Sequence, residues 1–226
     1  NYVMDAYHSL SIEGYRVSPE LIERVRSGRW DTEEDTDDRQ MRNALAARGY
    51  WQAYRSVRHS VRRVLEGANP GTVCGEDHRE WHREMFGPEV AAGVSKPADL
   101  AGFRNRQVFI RRSRHVPPRY EAVRDCMPAF FDLLGDEGKP SVRVVLGHFI
   151  FVYIHPYMDG NGRMGRFVMN VMMASGGYPW TVIPVEKRDD YMDALESASV
   201  RQDILPFARF LAGLLQEQTS MVLPDK

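Results

Sequence analysis

A mostly α-helical fold carrying one small β-hairpin is what this 226-residue sequence predicts. Three observations carry that expectation. Apolar residues recur at helical spacing through most of the chain, as on one buried face of a helix. Gly, Pro or short polar breaks separate those segments. The strongest candidate for a β element is Gln107 to Val116, with Val108, Phe109 and Ile110 ahead of a stop at Pro117-Pro118.

The elements follow in order. Ser18, Pro19 and Glu20 read as an N-cap, a first-turn proline and a first-turn acid, opening a helix that stops at Gly28. Residues 39–65 place Met41, Leu45, Tyr50, Tyr54, Val57, Val61 and Leu65 on one stripe, a long amphipathic helix ended by Gly67 and Pro70. Segments 76–86, 120–134, 141–154, 163–175, 187–199 and 204–217 also suit helices, and no repeat or low-complexity segment interrupts them.

With 43% hydrophobic and 27% charged residues, the chain is neither disordered nor fibrous, and it is long enough to bury a core. Its most apolar stretch, Val142 to Ile154, is broken by Arg143 and His148, so no membrane span is expected. Cys74 and Cys126 form no disulfide framework and fit a reducing, cytoplasmic setting. The start at Asn1, without a signal- or transit-peptide composition, reads as an excised fragment. A net charge of −1 argues against a bulk polyanion binder, but it hides blocks. Residues 31–38 hold six acids, and 39–65 hold seven arginines with no acid. A second acid-free stretch, 104–119, carries Arg104, Arg106, Arg111, Arg112, Arg114 and Arg119. These read as solvated faces, because no aromatic-rich motif accompanies them to mark a nucleic-acid footprint.

The informative stretch is His155-Pro156-Tyr157-Met158-Asp159-Gly160-Asn161-Gly162-Arg163-Met164-Gly165-Arg166. Gly160, Gly162 and Gly165 satisfy the dinucleotide fingerprint G-x-G-x-x-G, which makes an oxidoreductase the rival reading. That fingerprint needs a preceding strand, whereas Val142, Val145, Leu146, Phe149 and Val152 recur at helical spacing. A P-loop fails because Arg166 and Phe167 stand where Lys and Ser/Thr belong. An EF-hand fails at Arg163 and Asn170.

What remains is coherent chemistry. Gly160, Asn161 and Gly162 present backbone N–H groups at a helix start, an anion-binding nest. Arg163 and Arg166, three apart on that helix, can clamp adjacent phosphates from one face. Asp159 offers a hard oxygen to Mg²⁺ alongside substrate phosphates. His155, one short loop upstream, can take a proton near pH 7. Together these are the parts of a phosphoryl-type transfer.

At these residues the sequence resembles the Fic family, whose signature is H-P-F-x-[D/E]-G-N-G-R-x-x-R; Tyr157 in place of Phe is the one departure. The stretch from Gly102-Phe103-Arg104 through Gln107-Val108 to His115-Val116-Pro117-Pro118 is similar to the family's β-hairpin flap, and Gly177-Tyr178-Pro179, Tyr191 and Leu195 fit its continuation. The resemblance implies a helical Fic fold, with a helical extension over 1–70 and the catalytic core over 71–226. It implies adenylylation, the transfer of AMP from ATP to a Tyr, Thr or Ser hydroxyl of a protein, with ATP and Mg²⁺ required. His155 would be the general base and Asp159 the Mg²⁺ ligand. Asn161 and the backbone from Gly160 to Arg166, Gly162, Met164 and Gly165 included, would hold the nucleotide, with Arg163 near the β-phosphate and Arg166 at the γ-phosphate. Tyr191 would lie near the adenine, and Ser199 stands where members of the family often have Asn. Val108, Phe109 and Ile110 would bind an extended segment of the target by strand addition. Removal of AMP by the same site is the alternative direction, and a homodimer stays open.

Ser9-Leu10-Ser11-Ile12-Glu13-Gly14 resembles the family's inhibitory motif [S/T]-x-x-x-E-[G/N]. The resemblance implies that Ser9, Glu13 and Gly14 form a brake in a helix ahead of the core, with Glu13 paired to Arg166 in the γ-phosphate's place. Other candidates carry less. His78 and His82 have a metal-compatible spacing but lack the H-E-x-x-H order and a third ligand. His148 reads as a packing residue, and Met164, Met169, Met172 and Met173 as core filler.

Overall fold

A computed structural model describes residues 2–30, 38–100 and 102–222. Nine α-helices run through them: α1 Tyr2–Ile12, α2 Pro19–Arg26, α3 Asp38–Leu65, α4 Pro70–Ala91, α5 Val123–Asp136, α6 Pro140–Ile154, α7 Asn161–Ser175, α8 Arg188–Arg201 and α9 Leu205–Val222. Short 3₁₀ turns occupy Pro97–Leu100, Tyr120–Ala122 and Val185–Lys187. The acidic stretch 31–37 lies outside the described residues.

Local chemistry explains most boundaries. The Ser18 side chain accepts the Leu21 N–H at 3.2 Å, capping α2 as its Ser-Pro-Glu opening demands. Pro70, expected to end the long helix, instead opens α4, where the Asn69 side chain caps the Thr72 N–H at 3.1 Å. The stripe along α3 is buried at Leu45, Tyr50, Tyr54 and Val57, but at its last residue Leu65 is 65% exposed while the adjacent Val64 is buried. Antiparallel pairing of α3 with α4 is the most extensive helix contact.

The second strong pair is α6 with α7, and it carries the site. Nearly every α7 side chain from Arg163 to Met173 is buried, so α7 is the central rod around which α1, α3, α4 and α6 pack. Gly165 permits the close approach to α6, since a Cβ there would lie 2.7 Å from Val152 Cγ1. A single hydrophobic core runs from Tyr2 and Leu10 in α1 to Leu214 in α9, across the expected 70/71 boundary.

The β-hairpin is a correction: no strand is present among the described residues. Residues 102–119 are irregular backbone with a turn at Arg111 and Arg112, whose φ is +63°, closed by Ser113 N–H to Ile110 O at 3.1 Å. The two arms are joined by a side chain, Gln107 Nε2 donating to Pro117 O at 3.0 Å. Pro117 and Pro118 bring no N–H to a ladder, and a lone two-stranded ribbon is marginal in water. No helix among the described residues is long and apolar enough to cross a membrane.

The α3–α4 contact tests the packing directly. A Cβ on Gly49 would overlap the Met85 carbonyl of α4, backbone against backbone. Gly49→Ala should therefore cost about 2 kcal/mol despite alanine's better helix propensity. A thermal melt should show the midpoint about 4–8 °C lower.

Candidate active site

His155 ends α6 in a left-handed conformation, φ +54°, which turns the chain sharply toward the glycine loop. Its Nδ1 donates to Val152 O at 3.2 Å, because a carbonyl only accepts. Nε2 is then the basic nitrogen, and it has no hydrogen bond among the described residues. Burial lowers the imidazole pKa below its usual value, and nearby Arg104 adds to that against the pull of the Val152 carbonyl and Glu13. The ring is a neutral, unoccupied base at pH 7.

The turn itself is pinned from inside. Both ends of the Asn161 side chain bond the Tyr157 backbone, Oδ1 to N–H and Nδ2 to O, each at 2.9 Å. Asn161 therefore shapes the loop with its side chain and offers an anion only its backbone N–H. His82 reaches from α4 to Asp159 O at 3.2 Å and stacks on Tyr157 at 3.8 Å. Burial pushes the His82 imidazole down to about 4, so it stays neutral. Gly160, at φ +83°, makes the last turn into α7, where a Cβ would meet Phe86 Cε2 at 2.7 Å.

The α7 N-terminus then points its free N–H groups and the positive end of its dipole into the site. Arg163 is 1% exposed and lies between the Tyr15 and Phe86 rings, its Cζ 5.2 and 4.9 Å from their centroids. Its Nε and Nη1 have no acceptor among the described residues, nor has Arg166 Nη1. Buried donors without acceptors beside a helix N-terminus fit the oxygens of a polyphosphate. The Asp159 carboxylate accepts the Gly160 N–H at 2.6 Å and is otherwise largely exposed, 3.8 Å from Arg163 Nη2. No group of three or more His, Cys, Asp and Glu among the described residues could hold a metal alone. Asp159 thus fits Mg²⁺ as one carboxylate ligand in company with substrate phosphates.

One anion from the chain already lies here. Gly14, at φ +91°, ends α1 with paired bonds, Gly14 N–H to Ser11 O at 3.0 Å and Tyr15 N–H to Leu10 O at 3.1 Å. That cap turns Glu13 toward α7. Its Oε1 accepts from Arg166 Nη2 at 2.7 Å and lies against Gly162, so closely that a Cβ there would overlap it. Arg166 also donates to Ser9, Nε to Oγ at 2.8 Å and Nη2 to O at 3.0 Å. Burial raises the Glu13 carboxyl pKa, but Arg166 and Arg163 more than reverse this and hold it below the usual range. Beyond Glu13 a cavity of about 560 Å³ opens, lined also by Tyr15, Arg16, Arg42, Glu89 and Asp159.

Two residues differ from their sequence reading. Tyr191 is 1% exposed, its hydroxyl 2.7 Å from His148 Nε2 in the core behind Arg166, so it presents no face to an adenine. Arg104 belongs to a block read as solvated, yet it is 3% exposed. Its Nε donates to His155 O at 2.8 Å, and Nη2 donates to Pro118 O and to Ile154 O. Its backbone N–H bonds Pro156 O at 2.8 Å. Arg104 thereby clamps both ends of residues 104–118 to the exposed carbonyls at the α6 C-terminus, a role that composition hides. Arg104 ties the segment that holds Val108, Phe109 and Ile110 to the backbone of His155, and Phe109 is 76% exposed.

Tyr157 supplies a test. Its hydroxyl is buried without a hydrogen-bond partner among the described residues, and burial pushes its pKa up. Tyr157→Phe removes an unsatisfied polar group while keeping the ring on His82. It should raise stability by about 1 kcal/mol in denaturant melts.

Residues 73–173 match the Fic/DOC family. "Protein adenylyltransferase Fic" of Drosophila willistoni is 30% identical over 226 residues, 98% of this chain and 42% of its own length. The protein of the same name from Nematostella vectensis is 30% identical over 215 residues, 93% of this chain and 46% of its own. The chain thus spans less than half the length of the curated relatives it matches. A solved fragment of C. elegans Fic-1 superposes with TM-score 0.78 at 25% identity, covering 96% of this chain and 61% of that one. A Fic family protein from Desulfovibrio desulfuricans shares the fold, with TM-score 0.73 at 21% identity over 100% of this chain and 66% of that one. The matched family residues contain His155, the glycine turn, Arg163 and Arg166, and the likeness in sequence and fold runs nearly end to end: residues 73–173 of this chain belong to the Fic/DOC family.

Proposed function

We propose that this chain is an auto-inhibited protein adenylyltransferase that moves AMP from ATP to a Tyr, Thr or Ser hydroxyl of a target protein. The observation that carries the reading is the set of unpaired buried donors on Arg163 and Arg166 around the α7 N-terminus, within reach of a neutral His155. The relatives named as protein adenylyltransferases support the same chemistry. The rival dinucleotide reading loses its premise, because Pro140–Ile154 is a helix and no strand precedes the glycines.

The steps follow from the residues. The flap presents the target hydroxyl to His155, whose Nε2 takes the hydroxyl proton. The freed oxygen bonds the α-phosphorus of ATP, the bond to the bridging oxygen of the β-phosphate breaks, and pyrophosphate leaves. Backbone N–H groups at Asn161 and Gly162 hold charge on the α-phosphate, and the guanidinium of Arg163 holds it further along the chain of phosphates. Asp159 would hold Mg²⁺, which screens the phosphate charges when bound. Arg166 would take the terminal phosphate, and Glu13 competes for it through the 2.7 Å pair. Glu13 also borders the open cavity, which favours a second reading in which it orients a water for AMP removal.

Glu13→Gly should raise AMP incorporation into the protein itself or a target by about tenfold or more, followed with α-labelled ATP. His155→Ala added to that variant should abolish the label. Equal incorporation by the parent and Glu13→Gly proteins would reject the brake.

The imidazole adds a pH signature. Its folded-state pKa lies below the ordinary 6.5, and only the neutral ring accepts a proton. The incorporation rate of Glu13→Gly should stay level from about pH 8 down to about 6.5 and fall only as pH drops through the lowered pKa. A half-loss above pH 7 would remove His155 from the role of base.

A further inference from the structure

We propose that the protein segment docking on the flap is acidic, carrying Asp or Glu on either side of the hydroxyl to be modified. The inference rests on the adenylyl-transfer reading above and adds the class of target. Once Arg104 is withdrawn into its buried clamp, Arg106, Arg111, Arg112, Arg114 and Arg119 remain on the flap, all exposed. None of these five forms an ion pair among the described residues, although Arg63, Arg166 and Lys187 elsewhere do. A chain of net charge −1 therefore concentrates exposed positive charge on the segment that Arg104 ties to the His155 backbone. Holding like charges together is unfavourable unless an oppositely charged partner relieves it.

Five arginines face two nearby acids, and neither acid forms an ion pair with them among the described residues. Glu196 of α8 is occupied under the turn, accepting from Ser113 Oγ and, at 2.8 Å, from Arg114 N–H. Glu121 stands at the far end, on the rim of a cavity of about 400 Å³ that it shares with Arg119, Val116, Pro117 and Tyr120, leaving Arg106 and the turn arginines without it. The flap is also held in place before any partner arrives. Arg104 fixes its base, His115 Nε2 meets Tyr153 O at 2.9 Å, and Glu196 fixes its tip. A surface already ordered loses little freedom on binding.

Main-chain groups decide between a polypeptide and a nucleic acid. The N–H groups of Val108, Phe109 and Ile110 have no hydrogen-bond acceptor among the described residues. An extended peptide can pair with them as an added strand, which a nucleotide backbone cannot do. The 76% exposed Phe109 then contributes an apolar contact between the guanidinium groups. The arginines supply attraction, orientation and discrimination against basic segments.

The test uses the full chain and fluorescence anisotropy with labelled short peptides, needing no ATP. One peptide carries a single Ser flanked by Asp and Glu, and its control has Asn and Gln at those positions. The acidic peptide should bind about tenfold tighter, with the preference fading as NaCl screens the charges. Arg111→Gln/Arg112→Gln/Arg114→Gln, checked by an unchanged thermal melt, should erase the preference while the control peptide binds as before. Equal binding of the two peptides, or a preference that survives the triple substitution, overturns the proposal. So does a single-stranded oligonucleotide that displaces the acidic peptide and binds more tightly, which would make the flap a nucleic-acid surface. Acid-selective binding without AMP transfer would sink the enzymatic reading alone, and transfer without acid selectivity would sink only this inference.

Discussion

A buried helix start with two guanidinium groups beside it demands a negative charge, and the rest of the site is arranged around that demand. The α7 N-terminus, Arg163 and Arg166 lie almost entirely out of water. Desolvated positive charge is costly unless an anion answers it. In this structure the answer is Glu13, at 2.7 Å from Arg166 and against Gly162. A polyphosphate would meet the same need with more oxygens. Glu13 and a bound polyphosphate would thus be two solutions to one electrostatic requirement.

That requirement explains why α1 is built into the core and does not merely touch it. Ala6, Leu10 and Ile12 are fully buried, and Tyr50 donates to Asp5 at 2.7 Å. Arg188 Nε holds the Ile12 carbonyl at 2.9 Å, and Val185 N–H bonds His8 at 3.1 Å. Each contact fixes the end of α1, so that its cap aims one carboxylate. Displacement of Glu13 can then be a side-chain event, leaving the helix docked.

The opposite wall follows similar logic. Arg104 spends its guanidinium on carbonyls at the end of α6, joining residues 104–118 to the backbone of His155. The histidines divide by their neighbours. His82 supports the loop through Asp159 O, and His148, pushed down to about 3 by burial, backs α7 beneath Gly165. Only His155 is left with an unoccupied basic nitrogen next to the nest.

The sequence by itself determined whatever depends on near neighbours: most of the helices, the cap at Ser18, and a glycine turn feeding a helix with Arg163 and Arg166 one turn apart. Dihedral preferences and helical periodicity act over a few residues, so those features are legible in order along the chain. Tertiary structure decided the rest. It brought Glu13 to Arg166 and Ser9 to the same guanidinium. It turned the Asn161 side chain inward, sank Tyr191 behind Arg166, left the flap without a strand ladder, and separated one buried arginine from five exposed ones. Whether a side chain meets a charge, a carbonyl or water is fixed by which distant helix packs beside it, and local spacing carries no record of that choice.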